Sequence, residues 1–334
     1  LVLILLDKQD NELYPVLKRI ADCSLGLKTI FCTNQKLKAS GNDALFSNLV
    51  LKANIKAGGQ NHHVRIGKGK AAQSAFHKIG ESTLVIGVDV VHPGGDLPSI
   101  ASMVGSIDKQ YVNFAGSVRL QPARQEILTV NNVTEMFLEC LMAFGQGTQQ
   151  LPQRILYYRD GVSEDQYHQV LEQEVASIRQ AYLTWLICRY SEPQRGERSK
   201  SSRSPEIPVS AIVVGKRHHT RFFSRNDAMS YRDKPGGPIN GNIKPGLVVD
   251  QVITQTGIAG AFPDFFLQSH AALRGTAKSA HYVVICNDNA IPMSDIQNIT
   301  HAFCYDYARA TKGVSYCAPA YYADRLCDRA HKYL

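Results

Sequence analysis

Cysteine is present without the spacing that would give it structural chemistry. Cys23, Cys32, Cys140, Cys188, Cys286, Cys304, Cys317 and Cys327 form no CxxC pair, and most sit in apolar runs. They read as reduced core thiols, which argues against zinc ligation and a disulfide framework and favours the cytosol or nucleus. Long hydrophobic runs are lacking as well. Leu1-Val-Leu-Ile-Leu-Leu6 is far too short to cross a bilayer and has no basic flank or cleavage site, so it is expected to be a buried strand. A chain that opens inside a strand also suggests sequence upstream of it. No GxGxxG or P-loop follows a strand, which disfavours a nucleotide-dependent metabolic enzyme, and there is no internal repeat. Acid is scarcer than base: 29 Asp and Glu face 37 Lys and Arg, a net charge of +8. Residues 1–70 hold nine Lys and two Arg against five acids, and so carry +6 of that excess. A polyanionic partner is the natural implication of so concentrated a charge.

A hydrophobic content of 44% is enough for a substantial core. Residues 1–6, 12–22, 27–33 and 43–56 read as strand, helix, strand and helix. This order predicts a small α/β layer of Rossmann-like type with a parallel sheet. Ala57-Gly-Gly-Gln-Asn-His-His63 and Gly67-Lys-Gly-Lys70 are turn-rich and mark a boundary. A second unit follows, with strands at 83–91, 99–107 and 111–119, a helix at about 125–145, a strand at 154–159, a helix at about 164–189 and a strand at 207–215. Three adjacent strands, a helix and then a parallel strand are the order of a ribonuclease H-like fold. Residues 191–206 have the composition of an exposed loop. Late strands at 247–251, 264–268 and 281–286 precede helices at 293–310 and 320–333.

Two acids stand where strands end: Asp89 after Thr83-Leu-Val-Ile-Gly-Val and Asp160 after Ile155-Leu-Tyr-Tyr-Arg. Carboxylates brought together at strand mouths repel unless a cation or a proton intervenes, and a pair of Mg²⁺ ions answers that need in phosphodiester hydrolysis. Spacing alone favours two unrelated strand-end acids.

Four longer segments settle the reading: Gly87-Val-Asp-Val-Val-His-Pro93, Tyr158-Arg-Asp-Gly-Val-Ser-Glu164, Lys216-Arg-His-His-Thr-Arg221 and Ala318-Pro-Ala-Tyr-Tyr-Ala323. In this order the chain resembles the MID and PIWI portion of a eukaryotic Argonaute, of the Argonaute rather than the Piwi branch, with a fungal member expected. The resemblance implies a Rossmann-like partial MID domain at 1–66 and a ribonuclease H-like PIWI domain at 67–334. It implies a catalytic set of Asp89, Glu126, Asp160 and Asp324, with Asp89, Asp160 and Asp324 as ligands of two Mg²⁺ or Mn²⁺ ions. Glu126 lies in Arg124-Gln-Glu126, which matches the family's mobile glutamate, and is expected to sit away from the other three without nucleic acid. By itself it would read as an acid in the first turn of a helix.

The same resemblance implies a guide 5′-phosphate pocket of Tyr14, Lys18, Thr29, Lys52, Lys56 and Arg329. Both Tyr14/Lys18 and Lys52/Lys56 are four apart and share a helix side. Where the family often has glutamine this chain has Ile30, so Thr29 is expected to supply a hydroxyl donor. Asp10 and Glu12 lie in the loop before Tyr14 that should face the first guide base. Lys216, Arg217, His219, Arg221, His270, Thr276, Tyr307 and Arg309 match residues on the guide backbone track. The implied partners are a small guide RNA and a complementary target RNA, and the implied activity is guided endoribonuclease cleavage. A guided binding platform that does not cut, and an unguided ribonuclease H-like nuclease or transposase, are the competing functions.

Overall fold

A computed structural model describes residues 1–38, 43–66, 73–80, 82–190, 206–232, 239–255, 258–272 and 275–334. The loop expected at 191–206, apart from Glu206, and the turn at 67–70 lie outside the described residues.

Near the start, β1 (Val2–Leu6) and β2 (Thr29–Thr33) pair in parallel, with Leu3 opposite Ile30. The helices α1 (Leu13–Arg19) and α2 (Asp43–Ala57) accompany them. The helix expected over 12–22 changes character at Ile20, where a wider π turn runs to Ser24. The opening strand is not buried as expected. Among the described residues it pairs only with β2, and Leu1, Leu3 and Leu5 remain about half exposed.

The rest is built on one eight-stranded sheet. Its strands are β3 (Thr83–Val91), β4 (Ser99–Ser106), β5 (Phe114–Gln121), β6 (Arg154–Asp160), β7 (Val209–Gly215), β8 (Leu247–Val249), β9 (Asp264–Gln268) and β10 (Ala280–Asn287). The spatial order is β8-β9-β10-β7-β6-β3-β4-β5. The central three, β3, β6 and β7, run parallel, and the flanking pairs are antiparallel. This is a ribonuclease H-like arrangement. Parallel strands with both faces covered read as continuous apolar runs, and β3 is buried over eight of its nine residues. One face packs under α3 (Val130–Thr148) and α4 (Ala176–Tyr190) through Val133, Phe137, Leu141 and Ile178. The other packs under α5 (Met293–Tyr305) and α6 (Ala318–Ala330) through Ile296, Ile299, Phe303 and Ala320. No helix among the described residues is long and apolar enough to cross a membrane.

Two local features set the site. Helix α3 begins at Val130, five residues later than the apolar pattern suggested. Thr129 caps it by accepting from the Asn132 N–H, and Pro122 and Arg124, with φ of 62°, keep the preceding segment out of helix. Glu126 therefore lies in a loop, not in a first helical turn. The second feature is Gly87. A Cβ there would stand 2.1 Å from the Pro319 carbonyl oxygen, so its absence lets α6 lie directly on β3.

Asp306, at the end of α5, is fully buried, and neither carboxylate oxygen has a hydrogen-bond partner among the described residues. Burial, with Asp108 nearby, pushes this carboxyl up to about 9. The native state thus keeps a proton that the unfolded chain releases near pH 4, and stability falls as pH rises from about 4 to about 9. Asp306→Asn should remove that contribution. We expect it to be more stable than wild type at pH 8 by at least about 1 kcal/mol, with the gap closing toward pH 4 in urea titrations. A gap independent of pH would show that Asp306 does not carry the proton.

Candidate functional site

The parallel register of β3 and β6 pairs Val88 with Arg159. Asp89 and Asp160 follow side by side at the carboxyl ends of the two central strands, on the sheet face opposite to Val88 and Arg159. Helix α6 crosses that same face and carries Asp324. Asp89 is 6% exposed, and its carboxyl is pushed up to about 8, first by burial and then by Asp160, with Asp324 and Glu126 adding to the effect against Arg159. Asp160 rises to about 6 through burial and Asp324, opposed by Arg159, the Gly161 N–H and Lys216. Asp160, Asp324 and Glu126 thus lie near enough to Asp89 for their charges to act on its carboxyl, which keeps a proton near neutrality, as expected for crowded carboxylates.

Glu126 lies near Asp89. Its Oε1 and the Asp89 Oδ1 lie 3.4 and 3.7 Å from the point a Cβ on Gly161 would occupy. Glu126 is held by Arg159 Nη1, which donates to Oε1 at 2.9 Å, and by His92 Nε2, which donates to Oε2 at 3.1 Å. His92 Nδ1 is 2.7 Å from the Ser99 hydroxyl, which donates to it when Nε2 carries the proton. Arg159 is itself completely buried. Its Nε reaches both oxygens of Glu174 at 3.3 and 3.2 Å, and its Nη2 donates to the Glu126 carbonyl at 2.6 Å. Glu174 also accepts from the Tyr157 hydroxyl at 2.6 Å and from the Leu128 N–H at 3.0 Å. Burial works against the charge of Arg159, but Glu174 and Glu126 overcome it and hold the guanidinium charged.

Sequence reasoning assigned no role to His92, Arg159 or Glu174. The first two lie inside quoted motifs, so the signal was there. Glu174 had none, being one more acid on a helix. Asp324 is turned onto its neighbour, with Arg325 Nη2 donating to Oδ2 at 2.6 Å. With Glu126 and Asp324 drawn to basic partners, no three His, Cys, Asp or Glu side chains among the described residues converge on one ion position. The donor chemistry still suits a hard divalent cation: carboxylates held partly protonated by burial and mutual repulsion.

A second, cationic site forms where the first 60 residues meet α6. Lys18, Thr29, Lys56 and Arg329 meet there, Tyr14 lies near Arg329, and Lys52 lines the cavity beside Tyr14. Lys18 Nζ donates to Asp22 Oδ1 and to Thr29 Oγ1, both at 2.8 Å, and Lys56 Nζ donates to the Thr29 carbonyl. Thr29 is buried and spends its acceptors on positioning the two lysines, a different role from the outward donor expected of it. Burial, with Lys18 and Arg329 close by, lowers Lys56 to about 8. Burial and then Arg309 lower Lys52. Arg309 thus belongs to this cradle as well as to the expected backbone track. The Tyr14 ring meets Phe31 edge-on, with centroids 4.9 Å apart. A cavity of about 330 Å³ opens beside them, lined by Gln9, Asp10, Asn11, Tyr14, Phe31 and Lys52. The Asp10 carboxylate accepts from the Glu12 and Leu13 N–H groups at the start of α1.

Of the remaining track residues, Arg217, His219, Thr276 and Arg309 are exposed. Lys216 donates to the Ser315 hydroxyl at 2.5 Å and lies over the Tyr316 ring. Arg221 donates to the carbonyls of His218 and Thr220, which shapes its own loop. Two residues depart from expectation. Burial, with Lys216 nearby, lowers His270 to about 4, so it is uncharged at neutral pH. Tyr307 is buried against Tyr321 and Tyr322.

The chain matches the Piwi domain family model over residues 1–334. It is 38% identical over 350 residues to protein argonaute 1D of Oryza sativa subsp. japonica, covering 100% of this chain and 31% of that protein. It is 37% identical over 352 residues to protein argonaute 10 of Arabidopsis thaliana, covering 100% and 32%. Among solved structures, the C-terminal lobe of a budding yeast Argonaute superposes with a TM-score of 0.83 at 32% identity, covering 99% of this chain and 62% of that one. Kluyveromyces polysporus Argonaute with a guide RNA gives a TM-score of 0.80 at 32% identity, covering 99% and 35%. The ribonuclease H-like sheet with its carboxylate mouth is thus that of a Piwi domain, and the chain belongs to the Argonaute family of Piwi-domain proteins. It spans about a third of the length of the curated relatives it matches.

Proposed function

We propose that the protein carrying this chain is a small-RNA-guided silencing nuclease. It would hold a guide RNA by its 5′-phosphate in the Tyr14–Lys18–Lys52–Lys56–Arg329 cradle and cut the paired target strand at the carboxylate mouth. In this reading residues 1–66 are the guide-binding part of a MID domain and residues 67–334 the PIWI domain. What supports it is the proximity of Asp160, Asp324 and Glu126 to Asp89, whose carboxyl feels the charge of each, together with a separate cationic cradle at the far end of α6.

Asp89, Asp160 and Asp324, with Glu126, would hold two Mg²⁺ or Mn²⁺ ions. Bound there, such ions lower the pKa of an attacking water and stabilise the leaving 3′-oxygen. The protein's own share begins with protons: Asp89 and Asp160 must lose theirs to become ligands, which ties activity to pH. Arg159 and His92 fix Glu126 at the mouth, and Lys216 places a positive charge near Asp160. Arg217, His219, Arg221, Thr276 and Arg309 would contact backbone phosphates, leaving sequence to be read by base pairing. His270, being neutral, would contribute a hydrogen bond at most.

The test is direct. Full-length protein loaded with a 5′-phosphorylated guide should cut a complementary RNA only with a divalent cation, leaving a 5′-phosphate and a 3′-hydroxyl. Guide binding with no cleavage under any divalent ion would favour the non-cutting platform. Lys52→Ala should weaken binding of 5′-phosphorylated RNA about tenfold, the loss of one charge-assisted hydrogen bond. Unchanged affinity in a filter-binding titration would remove Lys52 from the cradle.

A further inference from the structure

The cationic cradle contains a carboxylate that the guide-binding reading does not use. Asp22 lies in the π turn after α1, and its side chain is only 6% exposed. Its Oδ1 accepts from Lys18 Nζ at 2.8 Å. Its Oδ2 accepts from Arg329 Nε at 2.8 Å and from the Tyr333 hydroxyl at 2.6 Å, and lies 2.6 Å from Arg329 Nη2. Arg329 Nε also donates to the Tyr333 oxygen at 2.7 Å. Two of the cations assigned to the phosphate are therefore already paired with an internal anion. Lys56, by contrast, donates to a neutral carbonyl, that of Thr29.

We propose that Asp22 is a specificity-setting residue of this cradle: a built-in anion that occupies Lys18 and Arg329 until a phosphate of higher charge draws them away. The proposal rests on the 5′-phosphate reading above. Its physical basis is simple. Lys18 is buried and Lys52 and Lys56 are half-buried, and with Arg309 and Arg329 close by each raises the cost of charging the others, so the cluster calls for a counter-ion. Asp22 supplies one negative charge inside the fold. That charge also repels an incoming anion, so a weakly charged or diffusible ligand gains little by entering. A terminal phosphate carries nearly two charges and is tethered to a backbone that makes further contacts, so it can compete for the guanidinium. Discrimination then comes partly from a repulsive element and not only from the attractive lysines. Because Asp22 joins the first 30 residues to Arg329 and Tyr333 at the chain's other end, a merely structural strut is the alternative.

The experiment uses the full-length protein as wild type, Asp22→Asn and Asp22→Glu. Affinities are measured for one guide RNA bearing a 5′-phosphate or a 5′-hydroxyl, and thermal midpoints in inorganic phosphate against chloride at equal ionic strength. Asp22→Asn should bind the 5′-phosphorylated guide about tenfold tighter, with the 5′-hydroxyl guide unchanged within about twofold. It should also gain more from inorganic phosphate than wild type does, and Asp22→Glu should restore wild-type behaviour. Equal or weaker binding of the phosphorylated guide by Asp22→Asn, with no extra gain from inorganic phosphate, would make Asp22 a strut and overturn the proposal. If wild type itself failed to distinguish the two guides, the 5′-phosphate reading would fall, and this inference with it. A variant too unstable to bind RNA is still judged by its response to inorganic phosphate.

Discussion

Asp160→Ala in the full-length protein should lose at least about a thousandfold in guided cleavage while keeping its affinity for the guide. The reasoning starts from the sheet. Asp160 ends β6 and Asp89 lies two residues before the end of the neighbouring parallel β3, so their separation is set by backbone hydrogen bonding and not by flexible loops. Removing one of them takes away a ligand at the point where α6 brings in Asp324. Electrostatic stabilisation of a phosphoryl-transfer transition state by metal ions is worth several kcal/mol, or three or more powers of ten in rate. The cradle does not include Asp160, so guide binding should not change. Asp160→Asn keeps the shape and should lose nearly as much activity. Single-turnover cleavage assays, with guide affinity measured in parallel, check this. Cleavage by Asp160→Ala within tenfold of wild type would place the reaction elsewhere.

The second large effect is expected at Glu174, a residue that touches none of the proposed metal ligands. Glu174→Ala should destabilise the fold by about 3–5 kcal/mol, because it leaves the Arg159 guanidinium buried without its main partner. The Tyr157 hydroxyl and the Leu128 N–H lose their acceptor at the same time. Denaturant midpoints of wild type, Glu174→Ala, Arg159→Met and the double variant provide the measurement. The double variant should be more stable than Glu174→Ala alone, since no charge then stays buried unpaired. It should nevertheless cut poorly, because Arg159 is also what ties Glu126 to the mouth. If Glu174→Ala unfolded at the wild-type midpoint, the buried network would not be the anchor of the Glu126 loop.

The acids that gather at the mouth were legible to different degrees. Asp89 and Asp160 could be found from strand-end position alone, since apolar runs that end in an acid are a local pattern. Glu126 and Asp324 could not. Periodicity placed Glu126 in a helix, and only resemblance to a family singled it out. The structure shows why periodicity misled: the apolar pattern of α3 continues upstream past Thr129, but Pro122 and the left-handed Arg124 deny those residues helical geometry. Arg159 and His92 hold Glu126 near Asp89, while no three of the described acids converge on one ion position. Thr29 was identified as part of the cradle, but its direction was not, because which neighbour a hydroxyl serves depends on contacts 11 and 27 residues away.

By itself the sequence determined the α/β class, the order of the sheet's elements, the strand-end acids and the concentration of positive charge in the first 70 residues. These follow from local composition and from spacing along one strand or helix. Tertiary structure alone decided which charges meet: Glu174 with Arg159 under the sheet, Asp22 with Arg329 across more than 300 residues, and α6 against Gly87, near enough for the charge of Asp324 to act on Asp89. A charge's partner, and with it its protonation and its use, is set by burial and by neighbours brought in from distant segments, which the pattern of any one segment does not encode.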